Sequence, residues 1–336
     1  MKVKIAINGF GRIGRLIFRA FIEKNLNNID IVAVNDLGSI EANAHLLNYD
    51  STHGKLINKI KTNKLGFIAN NKQISVYAEK NPENLPWKKL GVDIVLECTG
   101  LFTTKEKAMM HIIAGAKKVI ISAPATNAEA TIVQGVNNHD LKKNYKIISN
   151  GSCTTNCLAP VAMVLNESIG IISGYMTTIH SYTGDQSTLD TLHSDLRRAR
   201  SANESLIPTS TGAARAIGLV LPKLAGKLDG TAIRVPTSNV SLIDLTFISK
   251  KKSSIKIIND SIIKASKTKK LKGILSTNTL PLVSKDFNHN SSSSIFDLTQ
   301  TQVINGNFCR VLSWYDNEWG FSNRMIDTAI EFGKLK

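Results

Sequence analysis

Between an apolar run and an amphipathic one the chain reads Asn8-Gly9-Phe10-Gly11-Arg12-Ile13-Gly14, and an acid, Asp36, closes the next apolar run. No other feature constrains the fold as strongly. Glycines spaced G-x-G-x-x-G allow a tight strand-to-helix turn, close approach of backbone N–H groups to a pyrophosphate, and helix-on-strand packing, with the anion at the helix N-terminus. Gly9, Gly11 and Gly14 therefore read as a dinucleotide turn. Asp36 is placed to accept hydrogen bonds from the adenosine ribose and to repel a 2′-phosphate, which favours NAD over NADP.

The surrounding pattern agrees. Val3–Asn8 is a short apolar run, Arg12–Glu23 has helical period through Ile13, Leu16, Ile17, Ala20 and Phe21, and a second strand is expected over 29–34. Further strands are expected at 74–78, 94–98, 118–122 and 146–149, with a helix over 105–114, so this part reads as a parallel sheet covered by helices. After Asn150 the expected strands (171–181, 231–249, 307–315) are longer and more alternating, with helices over 154–167, 211–220, 255–266 and 322–332. That texture points to mostly antiparallel pairing with helices on one face. The fold class is α/β: a Rossmann-type parallel-sheet domain plus an α+β domain with a mostly antiparallel sheet. A length of 336 residues also exceeds what one core usually holds.

The charge invites a different reading. Lys and Arg number 42 against 26 Asp and Glu, a net +16, which suggests a nucleic-acid or anionic-surface binder. Only 10 of those cations are Arg, and the Lys runs at residues 250–252 and 267–272 are short and free of interleaved aromatics, so they read as solvated surface. No segment approaches the ~20 apolar residues of a membrane helix, and the N-terminal apolar stretch is too short for a signal peptide. A cytoplasmic location is expected, with no membrane and no specific nucleic-acid partner.

Four cysteines make no disulfide framework, and no zinc-ligand spacing is present, so no metal is expected. Cys153, in Ser149-Asn150-Gly151-Ser152-Cys153-Thr154-Thr155-Asn156-Cys157, opens an apolar-periodic segment; a thiol at a helix N-terminus can fall well below its ordinary ~8.5 and become a nucleophile. By itself it reads first as a small core residue, a role that Cys157 suits better. An activated thiol wants a base, and His180 ends a strand pattern where a polar loop begins. Arg198 and Arg234, with Ser152, Thr154, Thr183, Thr211 and Gly212, supply the forks and hydroxyls that a phosphate needs, or belong to surface ion pairs.

Asn8-Gly9-Phe10-Gly11-Arg12-Ile13-Gly14-Arg15, Ser152-Cys153-Thr154-Thr155-Asn156-Cys157-Leu158-Ala159-Pro160, His180-Ser181-Tyr182-Thr183, Pro208-Thr209-Ser210-Thr211-Gly212-Ala213-Ala214 and Trp314-Tyr315-Asp316-Asn317-Glu318-Trp319-Gly320 together resemble the phosphorylating glyceraldehyde-3-phosphate dehydrogenase family of bacterial type. The resemblance runs along essentially the whole chain. It implies an NAD-binding domain over 1–151, a catalytic domain over 152–316, and a C-terminal helix, 317–336, that packs back on the first. It implies Cys153 as the nucleophile and His180 as its base, forming a thiohemiacetal and then a thioester that inorganic phosphate opens. Thr183 and Arg234 match the pocket for the substrate phosphate, and Ser152, Thr154, Arg198, Thr211 and Gly212 the pocket for the attacking phosphate. Arg12, Ile13, Asp36, Lys80, Ser122 and Asn317 match NAD contacts, with Asn317 on the nicotinamide carboxamide.

A homotetramer acting in glycolysis or gluconeogenesis on glyceraldehyde 3-phosphate follows from the same resemblance. Leu192 stands where NAD-specific members often carry Pro, which leaves NADP open, whereas Leu37 crowds a 2′-phosphate. The related erythrose-4-phosphate dehydrogenase shares the Cys/His pair and is the alternative within this chemistry.

Overall fold

The computed structural model describes residues 2–335. The chain divides into two compact units: one runs to Ser152 and resumes at Phe321, and the other spans Cys153–Gly320.

The first unit begins β1 (Val3–Asn8), α1 (Arg12–Glu23), β2 (Ile29–Asn35) and α2 (Ile40–Asn48), followed by a small pair, β3 (Tyr49–Asp50) and β4 (Gly54–Lys55). It continues through β5 (Lys61–Asn63), β6 (Gly66–Ala69), β7 (Lys72–Tyr77), α3 (Trp87–Leu90), β8 (Ile94–Glu97), α4 (Lys105–Ile113), β9 (Lys118–Ile121) and β10 (Ile147–Ser149). The sheet order is β10-β9-β8-β1-β2-β7-β6-β5. Its first six strands are parallel, β1 to β2 and β8 to β9 to β10 being joined by crossover connections. All four residues of β8 are buried, as strands covered on both faces must be.

The edge hairpin β5–β6 and helix α2 lie outside the sequence expectation. A two-residue loop, Asn70-Asn71, joins β6 to β7 with φ of 48° and 60°, the left-handed pair that a tight hairpin demands and that Asn tolerates.

The second unit holds α5 (Cys153–Ser168), β11 (Ile171–Ser181), β12 (Ile207–Ser210), α6 (Ile217–Val220), β13 (Leu228–Val235), β14 (Ser241–Ser249), α7 (Ile255–Ser266), β15 (Leu275–Asn278), β16 (Ser294–Asp297), β17 (Gln302–Ile304) and β18 (Phe308–Tyr315). Its sheet runs β12-β13-β11-β14-β18-β16-β15, with β17 on β18. Only β11–β13 and β15–β16 pair in parallel. Burial alternates along β14, with one face on the core.

Two expectations change here. The single strand over 231–249 is two, broken at Pro236 and at Val240 with φ of 69°, because β13 and β14 flank β11 on opposite sides and the segment between them must cross its end. The helix over 211–220 is regular only at α6; before it the backbone closes i+3 turns such as Ile217 N–H to Ala214 O at 3.2 Å.

The last helix, α8 (Trp319–Lys334), carries the chain back into the first unit. There Thr328 Oγ1 donates to Asn150 Oδ1 at 2.8 Å, and Lys118 Nζ donates to the carbonyls of Phe332 and Leu335 at 2.8 and 2.7 Å while lying 4.1 Å over the Phe332 ring. Those carbonyls belong to the helix end that has no internal donors. Lys118→Met keeps the stem but removes cation and donor, and we expect it to cost about 1 kcal/mol, read as a lower thermal midpoint.

Candidate active site

In the first unit the ends of β1, β2 and β8 surround a cavity of about 520 Å³ whose walls include Gly9, Gly11, Asp36, Leu37, Lys80 and Thr99. Gly9 has φ of 89°, and a Cβ there would lie 2.6 Å from the Thr99 backbone nitrogen; one at Gly14 would lie 2.1 Å from Gly9 O. The turn is therefore closed to side chains on its packed side. At Gly11 a Cβ would meet nothing within 4 Å, so that position opens on the cavity. This cradle, with an acid at its rim, fits a dinucleotide.

Asp36 is fixed by Phe10 N–H and Gly38 N–H, both at 2.9 Å, and by Asn43 Nδ2 at 3.3 Å. Arg12 and Ile13 open α1, and the Arg12 guanidinium forks onto Asp50 at 2.6 and 3.2 Å. Burial raises the Asp50 carboxyl, but the hydrogen bond and charge of Arg12 with the N–H groups of His53 and Thr52 outweigh it and bring it to about 2. Ser122 follows β9, its N–H on Glu97 O at 3.0 Å, and is not among the cavity walls.

A buried polar ladder underlies the cavity. Trp87 Nε1 donates to His111 Nδ1 at 3.0 Å, which leaves the proton on Nε2, 2.9 Å from Glu97 Oε2. Glu97 also accepts from Asn8 Nδ2 at 2.6 Å, from Thr99 N–H at 2.8 Å and from the Thr99 hydroxyl. Asn8 Oδ1 accepts from Asn35 Nδ2 at 2.7 Å, and Asn35 Oδ1 from Glu79 N–H at 2.9 Å. One string of hydrogen bonds thus crosses the ends of β8, β1 and β2.

In the second unit Cys153 is the first residue of α5 and His180 lies near the end of β11, with Sγ 3.5 Å from Nε2. Burial pushes the Cys153 thiol above its ordinary value; the charge of Arg234, the Thr154 hydrogen bonds and the sulfur's own backbone N–H oppose it without overcoming it. This corrects the expectation of a depressed thiol: the helix terminus is present, but desolvation outweighs it. Burial and the Arg234 charge also bring His180 down to about 3, against the opposing Ser181 carbonyl, so the ring is neutral near pH 7. Cys157 is fully buried and its thiol is pushed up to about 12, as a core cysteine's would be.

Strand order gathers the cations. His180 and Arg234 are register partners on β11 and β13, and β12, paired to β13, anchors Arg198 from the preceding loop: its Nε donates to Thr209 Oγ1 at 2.9 Å and its Nη2 to Ser210 O at 3.3 Å. Asp185 holds Arg198 Nη1 at 2.5 Å. Arg234 Nε is buried without a hydrogen-bond partner, a desolvated donor that an anion would satisfy. Thr183 Oγ1 donates to Gln186 Oε1 at 3.3 Å, Thr211 Oγ1 accepts from Ala213 N–H at 3.2 Å, and Gly212 is open. Asn317 Oδ1 accepts from the hydroxyls of Ser181 and Ser241 at 2.8 and 2.9 Å. Ser152 ends the first unit and precedes Cys153.

Sequence reasoning missed Tyr315. Its hydroxyl lies 2.9 Å from both Thr154 Oγ1 and Thr178 Oγ1, tying the first turn of α5 to β11, and His180 packs edge-on against its ring at 5.8 Å. Its place two residues before Asn317 in a recognised motif was the available signal. Asp185, Glu97 and His111 were also missed, because their partners are distant in sequence.

Family descriptions match both parts of the chain: "Glyceraldehyde 3-phosphate dehydrogenase, NAD binding domain" over residues 3–105 and "Glyceraldehyde 3-phosphate dehydrogenase, C-terminal domain" over residues 152–317. Among curated relatives, a glyceraldehyde-3-phosphate dehydrogenase of Xanthobacter flavus is 59% identical over 335 residues, all of both chains. One of Cereibacter sphaeroides is 55% identical over 335 residues, again all of both chains, and one of Geobacillus stearothermophilus is 54% identical over 98% of each.

Because the folded pKa of Asp50 is depressed from 3.8 to about 2, its pairing stabilises the protein above pH 3.8 and is lost as pH falls toward 2. The thermal-midpoint gap between the parent and Asp50→Asn should close over that interval. Tyr315→Phe keeps the ring and removes both hydrogen bonds; it should cost about 2 kcal/mol in denaturant unfolding and slow alkylation of Cys153.

Proposed function

Because the chain belongs to the glyceraldehyde 3-phosphate dehydrogenase family, we propose that it oxidises glyceraldehyde 3-phosphate in the presence of inorganic phosphate to 1,3-bisphosphoglycerate. The observation that carries this reading is the Cys153–His180 pair at 3.5 Å, with Arg234 on the strand beside His180 and Arg198 bonded to the next strand.

His180, neutral near pH 7, takes the thiol proton at Nε2 as Sγ attacks the aldehyde carbon. The Cys153 backbone N–H and His180 then hold the developing oxyanion. His180 gives that proton to the oxyanion, forming the thiohemiacetal hydroxyl, and as a neutral ring takes it back when the adduct is oxidised. The two-electron acceptor that turns this adduct into a thioester is the chemistry that bound NAD supplies. Phosphate attack on the thioester carbon frees Cys153 and releases an acyl phosphate.

Arg234 and Thr183 take the substrate phosphate; the orphaned Arg234 Nε supports that role. Ser152, Thr154, Arg198, Thr211 and Gly212 take the attacking phosphate, with Arg198 oriented by Asp185. Gly9, Gly11, Arg12, Ile13, Gly14, Asp36 and Lys80 hold NAD, with Ser122 and, at the carboxamide, Asn317. The hydroxyls of Ser181 and Ser241 fix Asn317 Oδ1 and turn its amide nitrogen to donate. We place the enzyme in the cytoplasm as a homotetramer in glycolysis or gluconeogenesis; among the described residues no helix is long and apolar enough to cross a membrane.

The test is NAD reduction with glyceraldehyde 3-phosphate and with erythrose 4-phosphate, each with and without phosphate. Phosphate-dependent turnover of the triose is expected, abolished in Cys153→Ser and reduced about 10²–10⁴-fold in His180→Asn. Near-normal turnover by Cys153→Ser refutes the reading, and phosphate-independent preference for the tetrose moves it to the related activity.

A further inference from the structure

Helix α2 buries Asn43, Ala44, Leu47 and Asn48, and an amide in such a face is costly unless a partner satisfies it. Asn48 finds its partner in the backbone of Ile60, donating to the carbonyl at 3.0 Å and accepting from the N–H at 2.8 Å. Asn43 is turned to a side chain instead: its Nδ2 donates to Asp36 Oδ1 at 3.3 Å.

Asp36 is thereby held from three places. Phe10 N–H, in the glycine turn, donates to Oδ2 at 2.9 Å; Gly38 N–H, two residues on, donates to Oδ1 at 2.9 Å; and Asn43 reaches the same Oδ1 from α2. A carboxylate offers about four acceptor sites, two on each oxygen. Oδ1 is filled by its two donors, whereas Oδ2 keeps one site open. With both oxygens pinned the carboxylate resists turning, and because the three donors are neutral groups none of them cancels its charge.

Gly38 makes room for this arrangement. A Cβ there would lie 3.1 Å from Asn43 Nδ2 and 3.2 Å from Asp36 Oδ1, pressing on both ends of the one hydrogen bond. Gly38 is not among the glycines with left-handed backbone, so the position uses the missing side chain rather than a special conformation.

We propose that Asn43 is a positioning residue for cofactor choice: acting through Asp36, it holds the carboxylate so that Oδ2 accepts a hydroxyl of the adenosine ribose of NAD and the charge stays in place against the 2′-phosphate of NADP. This rests on the assignment of Asp36 to the ribose. It adds to the discrimination a residue that does not itself line the cavity.

Asn43→Leu keeps the buried volume and removes the donor. Titration calorimetry with NADH and with NADPH, without aldehyde or phosphate, is expected to show NADH bound about tenfold more weakly and the preference for NADH reduced by a similar factor, as the loss of one hydrogen bond to a charged acceptor would give. In turnover the loss should fall on the KM for NAD and not on kcat. Gly38→Ala, whose methyl group presses on the same two atoms, should lower the preference in the same direction. In an Asp36→Ala background Asn43→Leu should change neither affinity further, because an effect exerted through Asp36 has nothing left to act on.

An unchanged ratio of the two affinities in Asn43→Leu, or a loss that adds in full to that of Asp36→Ala, overturns the proposal; should Asn43→Leu not fold, the ratio in Gly38→Ala decides. If the unsubstituted protein does not prefer NADH, the assignment of Asp36 fails and this inference with it, whereas an unchanged ratio in a protein that does prefer NADH removes this inference alone.

Discussion

The hydroxyl of Tyr315, 2.9 Å from Thr154 on α5 and 2.9 Å from Thr178 on β11, joins the two elements that carry the reactive pair. Cys153 precedes one anchor by one residue and His180 follows the other by two, so this contact sets how sulfur and imidazole face each other. Tyr315 in turn ends β18, whose register with β14 and hence β11 is fixed by continuous antiparallel pairing. The second unit's sheet thus acts as the rigid frame for a sulfur–nitrogen distance of 3.5 Å.

Desolvation governs the chemistry of that frame. It raises the thiol and lowers the imidazole. The same burial strips Arg234 of water and leaves its Nε seeking an anion. A buried donor left unsatisfied favours the ligand that completes it.

In the first unit the corresponding device is the string His111–Glu97–Asn8–Asn35. It converts the parallel alignment of β8, β1 and β2 into a fixed floor for the cavity, because each strand end contributes a side chain whose partner lies on the next. The basic total of the chain takes its place beside these sites. Most cations are Lys, while Arg12, Arg198 and Arg234 are committed to Asp50, to Asp185 and to the base.

The glycine turn, the parallel strands around it and the start of α5 were legible because each is a local constraint: glycine conformations, an apolar period, a cysteine where periodicity begins. The Asn70-Asn71 hairpin was equally local and was overlooked. The β13–β14 break was not legible, since Pro236 alone does not reveal that β11 lies between the two strands. By itself the sequence determined the residue types available for dinucleotide binding and thiol chemistry, and where in the chain they stand. Only the tertiary structure decided that Cys153 meets His180, that burial opposes the helix terminus on the thiol, and that Arg234 comes within 2.7 Å of His180 Nδ1. Those outcomes depend on distances and desolvation between residues far apart in the chain, which spacing along it does not encode.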